Sequence, residues 1–180
     1  MSAVLILLVP AGLIILYGVL VYNRFIKDRN TIDEAWSGID VQLRQRHNLI
    51  PNLVETVKGY ASHEAGVLEK VTAQRGAGSM ADVNRQENRI TGALVDLFAV
   101  AEDYPDLKAS ANFADLQQEL SRIEDHIQLA RRYYNGAVRE YNTRVQSFPS
   151  NLVAWFFRFT ERDFFEIKVV AQRELPEVAL

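Results

Sequence analysis

The chain contains no cysteine, which excludes disulfides, thiolate metal sites and cysteine nucleophiles and leaves the redox compartment without a signature. Histidine is nearly as scarce: His47, His63 and His126 are the only three in 180 residues. Any metal would therefore rely on these and on carboxylates. There is no cationic surplus either, since 20 Lys and Arg stand against 23 Asp and Glu for a net charge of -3. Neutralising a phosphate backbone takes such a surplus, so no nucleic-acid partner is expected. Strand-type alternation, internal repeats and low-complexity tracts are all lacking. What remains is an all-α reading with room for one domain and an appendage.

What the chain does have is a long apolar run at its start. From Ser2 to Asn23, SAVLILLVPAGLIILYGVLVYN, no side chain is charged, and about 20 such residues form a helix long enough to cross a ~30 Å hydrocarbon core. Pro10 is tolerable in such a helix. A cleaved signal peptide is the competing reading, but the run has no basic start and no small-residue cleavage site precedes Arg24. Arg24, Lys27 and Arg29 follow at once, with Tyr22 as an interfacial anchor, so the N-terminus is expected outside and the rest in the cytoplasm. Asp28 and Asp33 dilute a bias carried by three cations, which leaves the reverse orientation open.

Beyond residue 30 the period changes to that of a helical seam. Ile32, Trp36, Ile39, Leu43, Ile50, Leu53, Val57, Tyr60, Val67 and Val71 recur in steps of four and three, interrupted by Arg46 and Glu64. This pattern predicts a long helix to about Gln74, closed by Gly76, Gly78 and Ser79. A second helix is expected over 81–103, ending before Pro105. A third, capped by Asn112, carries Phe113, Leu116, Leu120, Ile123, Ile127, Tyr134 and Tyr141 to Phe148-Pro149. The segment after it is too aromatic for a solvated end. The expected organisation is a membrane helix and basic flank over 1–29, an antiparallel bundle of three long helices over 30–149, and an aromatic segment over 150–180 that packs on the bundle or on a neighbour.

No candidate catalytic set survives inspection. His63-Glu64 is not followed by a histidine at 67, so the H-E-x-x-H zinc pattern is absent. His47 and His63 would sit about 160° and ~24 Å apart on one helix. The GAGS stretch follows a helix and lacks the Gly-Lys-Ser/Thr ending of a phosphate loop, and there is no nucleophile elbow. RRYYN at 131–135 reads as a core tyrosine with cationic flanks rather than a base-stacking platform. No catalytic residue, metal or cofactor is expected. Arg46 and Glu64 say more, because a charge in a seam needs a partner. Glu124, Asn135 and Asn142 or groups on another protomer are the candidates, the alternative being side chains that reach solvent. Paired, the two charges would set helix register. Pro51 removes one helical hydrogen bond, predicting a kink or break near His47 to Pro51.

Three blocks, EAWSGIDVQLRQRHNLIPNLVETVKGYASHE, YPDLKASANFADLQQEL and RRYYNGAVREYNTRVQSFPSNLVAW, together resemble the LemA family of bacterial membrane proteins. The likeness runs from Tyr22 to about Phe165, departing at His47-Asn48, where the family pattern has an aromatic residue followed by Asp. It implies a single-pass protein of the bacterial inner membrane with a bundle of long helices and no established reaction. It also implies roles in membrane organisation or in partnership with a membrane metalloprotease.

Helix lengths bear on assembly. The first helix should extend nearly 70 Å beyond the membrane, against about 35 and 55 Å for the other two. If the third runs away from the membrane, Ile32, Trp36, Ile39 and Leu43 lack an in-chain cover, and such a stripe does not stay in water. The expectation is a homo-oligomer through these residues, with Trp155 and Phe156 joining the contact. The functional expectation is a non-enzymatic scaffold that organises the inner membrane together with its lipid. The alternative is an adaptor or substrate-delivery partner for a membrane-bound metalloprotease.

Overall fold

The first helix does not stop where the apolar run ends. In a computed structural model that describes residues 2–61, 66 and 79–166, with side chains from residue 8 on, α1 runs from Ser2 to Lys58 as one element. No helix-ending signal intervenes between the apolar run and the seam, so the two periods fuse. The stop comes at Gly59-Tyr60, where Tyr60 N–H and Ala61 N–H both donate to the Val57 carbonyl. The expected continuation of this helix past Lys58 is thereby corrected, while its expected end at Gln74 lies outside the described residues. Pro51 lies exposed within α1, which continues through it. Glu64 and His63 lie outside the described residues.

The other described helices are α2 (Met80–Glu102), α3 (Pro105–Lys108), α4 (Ala111–Gln146) and α5 (Ser150–Phe157), with no strand among the described residues. Ser79 opens α2 with a reciprocal capping box: its hydroxyl accepts from Asp82 N–H while Asp82 accepts from Ser79 N–H, satisfying two orphan donors. Pro105 starts the short α3, where its missing N–H is harmless. Asn112 does not cap α4; it lies inside the helix and donates to Thr56 Oγ1 at 3.1 Å.

Two compact units divide the chain, Met1–Ile39 with Ala130–Phe164 and Asp40–Leu129 with Phe165–Leu180. In the second, Arg46 meets Glu124 and Thr56 meets Asn112, so α4 runs antiparallel to α1. Arg46 also holds Thr91, and Phe98 meets Phe113 edge-on at 6.2 Å, so α4 is antiparallel to α2 as well. Hence α1 and α2 point the same way. Ile50, Leu53, Val57, Ile90, Leu94, Leu97, Leu107 and Phe113 form the core between them, each worth roughly 1.5–3 kcal/mol of transfer free energy.

In the first unit the C-terminal half of α4 lies along α1. Trp36 meets Tyr134 at 5.7 Å, Phe25 meets Tyr141 at 5.8 Å, and Arg144 reaches Asp28 at 2.7 Å, again antiparallel. After α5 the chain returns: Phe159 stacks on Phe25 at 4.7 Å, Asn142 holds Arg162 through both its amide nitrogen and oxygen, and Tyr134 donates to the Asp163 carbonyl.

This direction of α4 corrects the basis of the expected contact between copies. Ile32, Ile39 and Leu43 are 2%, 0% and 0% exposed within the single chain, and Trp36 is partly buried against Tyr134. The stripe is covered within the single chain, where the C-terminal half of α4 lies along α1.

Candidate functional site

Arg46 is the largest fully buried side chain in the molecule's described part. It stands in the α1 seam of the second unit, and its guanidinium reaches Glu87 on α2 and Glu124 on α4, with Nη1 donating also to Thr91 Oγ1 at 3.2 Å. Glu87 is itself 0% exposed, and His47 Nε2 lies 3.3 Å from its second oxygen. Burial alone would raise the Glu87 pKa, but the His47 hydrogen bond and the charge and hydrogen bond of Arg46 outweigh it, and the carboxyl is held below its ordinary value. The group is thus ionised and engaged on both oxygens. An enclosed carboxylate neutralised by Arg46 cannot take a substrate proton, and an arginine does not act as a base. The cluster joins three helices instead. Among the described residues no three His, Asp or Glu side chains converge as a metal would require.

Of the candidate partners for Arg46, Glu124 is found in place, and Asn142 instead holds Arg162 in the other unit. Glu87 was missed. Its signal was present, since Val83, Glu87, Ile90, Leu94, Leu97 and Ala101 step by four and three, with one polar residue standing where the seam demands an apolar one.

A second constellation lies in the first unit where the apolar run ends. Tyr22 packs against Phe157 at 4.7 Å and Phe159 at 5.6 Å. Asp28, almost fully buried, binds Arg24 at 3.2 Å and Arg144 at 2.7 Å. Lys27 and Arg29 remain exposed. Burial raises the pKa of Tyr134 and Tyr141 on the facing helix. Trp155 and Phe156 are 81% and 71% exposed. Between α5 and the apolar part of α1 runs an open groove of about 640 Å³, lined by Leu13, Ile14, Tyr17, Gly18, Pro149, Leu152, Val153, Phe156 and Phe157 without a charged side chain.

One apolar helix long enough to cross a bilayer among the described residues, prolonged into antiparallel helices whose buried charges are spent on one another, defines a membrane-associated helical protein. The chain belongs to the LemA family, whose model matches residues 35–180. It is 29% identical to Protein LemA of Metamycoplasma hominis, over 87% of this chain and 71% of that one. It is 27% identical to Magnetosome protein MamQ 2 of Paramagnetospirillum magneticum and 24% identical to Magnetosome protein MamQ of Magnetospirillum gryphiswaldense, in each case over 82% of this chain and 65% of the relative. It thus spans slightly less than two thirds of the magnetosome proteins' length. None of these names carries an enzymatic activity.

Proposed function

We propose that this protein is a non-enzymatic scaffold of the bacterial inner membrane: α1 anchors it with the N-terminus outside, the bundle stands in the cytoplasm, and copies assemble to organise the membrane around them. The observation that carries this reading is the exterior of the first unit. Leu13, Ile14, Leu16 and Leu20 of α1 and Phe148, Leu152, Trp155 and Phe156 about α5 are all more than half exposed. An apolar surface of this extent belongs in a membrane and against its lateral neighbours, not in water. The buried charges support the same reading, because Arg46, Glu87 and Asp28 hold helices together and present nothing to a substrate. With Ile32, Ile39 and Leu43 enclosed, contacts between copies run along the exterior of the span. The test is the particle mass of the full-length protein in mild detergent, by light scattering corrected for bound detergent. A uniform multimer is expected. A monomer at every protein concentration and in native lipid would overturn the assembly.

A further inference from the structure

We propose that α5 is a second membrane-inserted element, seated in the leaflet nearest Arg24, and that phospholipid acyl chains fill the groove between it and α1. The inference rests on the reading of α1 as membrane-spanning, and it follows from depth. The α5 side chains Leu152, Val153 and Phe156 share a groove with Leu13 and Gly18 of α1. Those two positions lie eleven and six residues before Arg24, about 17 and 9 Å along a helix at 1.5 Å per residue. A hydrocarbon core is ~30 Å thick. If the apolar run spans it, α5 is placed beside α1 inside the same leaflet and not above it.

Three independent features fit that placement. The first is composition: SNLVAWFF carries no charge, and Leu152, Trp155 and Phe156 face outward on a helix only eight residues long. A face this apolar in a polar medium has no cover among the described residues, and the lipid-facing surface of α1 is continuous with it. The second is backbone satisfaction, which hydrocarbon demands and water does not. At the start of α5 the Asn151 and Leu152 N–H groups donate to Ser147 and Pro149 carbonyls, Pro149 has no N–H to satisfy, and Ser150 Oγ lies within hydrogen-bond distance of the Arg144 and Ser147 carbonyls. At its end Arg158 adopts the left-handed conformation (φ 58°, ψ 39°), and Arg158 N–H and Phe159 N–H donate back to Trp155 and Ala154 carbonyls. The third is charge. Charged residues resume only at Arg158, where Phe157 and Phe159 flank Tyr22, so the exposed cations Arg24 and Arg158 stand where a headgroup phosphate belongs.

The chain's two tryptophans make this measurable. Full-length Trp36→Phe protein, which retains only Trp155 as an emitter, is reconstituted into phosphatidylcholine–phosphatidylglycerol vesicles whose acyl chains are brominated at one of several depths. Insertion of α1 is verified by flotation with the vesicles and resistance to alkaline extraction. We expect blue-shifted Trp155 emission that aqueous iodide does not touch and that loses most of its intensity to bromines within one leaflet. Trp155→Phe protein, emitting from Trp36 against Tyr134, should lose little. It also yields the Trp155 contribution by difference from wild type, should Trp36→Phe fold poorly. Red-shifted, iodide-quenched emission from protein that floats with the vesicles would overturn the inference while leaving the membrane reading intact. Blue-shifted emission that bromine spares and that reddens on dilution in lipid would overturn it in favour of a second copy covering α5. Failure to float would overturn both.

Discussion

Replacing Arg46 by methionine gives a shorter, unbranched side chain of similar volume and deletes its charge. The position is fully enclosed, so the consequence falls on Glu87, which is also fully enclosed and among the described residues would keep His47 as its one side-chain partner. Breaking a buried pair on one side typically costs about 3–5 kcal/mol, because a charge is left without compensation in a medium that solvates it poorly. Glu124 contributes little to that sum, since its side chain is 33% exposed and can turn to water. For a chain of this size each kcal/mol moves the midpoint by roughly 2–4 °C, so Arg46→Met should lower it by about 6–20 °C. The assay is thermal and urea unfolding of the full-length protein in mild detergent, followed by far-ultraviolet circular dichroism. A double variant sharpens it. Arg46→Met with Glu87→Leu removes both charges and refills the space with apolar atoms, and by the same logic should recover most or all of the loss. A single variant within about 1 kcal/mol of wild type, where a solvated surface pair would fall, would refute the reasoning. So would a double variant less stable than the single.

The depressed pKa of Glu87 gives a pH dependence of definite sign. The unfolded carboxyl binds a proton near pH ~4.3 and the folded one only lower, so this stabilisation is complete above that pH and lost as pH falls through the folded value. Unfolding midpoints measured downward from pH 6 should drop more steeply in wild type than in Glu87→Gln, which starts lower and changes less. Leu43→Glu places an unpaired carboxylate in a fully enclosed site; it should unfold the second unit, at a cost of several kcal/mol, and not merely separate copies. Circular dichroism decides between these, since retained helix with smaller particles would mean that the stripe is open after all. Because the chain has no cysteine, Lys108→Cys at the exposed end of α3 supplies a single thiol. An impermeant reagent should leave it unlabelled in intact cells and label it after lysis.

The helices were legible because their signals are local. The period of the seams placed α2 and most of α4 within a residue or two, and the charge-free run marked the apolar start of α1. Arg46 announced itself as a charge in an apolar series, and the same rule applied to α2 would have found Glu87, its buried partner. The error lay in direction. A helix looks the same to a periodicity argument whichever way it points, and having α2 run back along α1, where the two in fact point the same way, put α4 on the wrong heading. Every conclusion about which stripe was covered inherited that heading.

The sequence by itself determined a charge-free apolar start, an all-helical chain, the faces its helices bury and the exclusion of cysteine chemistry, because these depend on composition and on intervals of three and four residues. The tertiary structure alone decided that α4 is antiparallel to α1, that Arg46 meets Glu87 forty-one positions away, and that the aromatic segment after Pro149 lies beside the apolar run at the other end of the chain. Those are distances between residues remote in sequence, set by how the helices pack, and no local pattern encodes them.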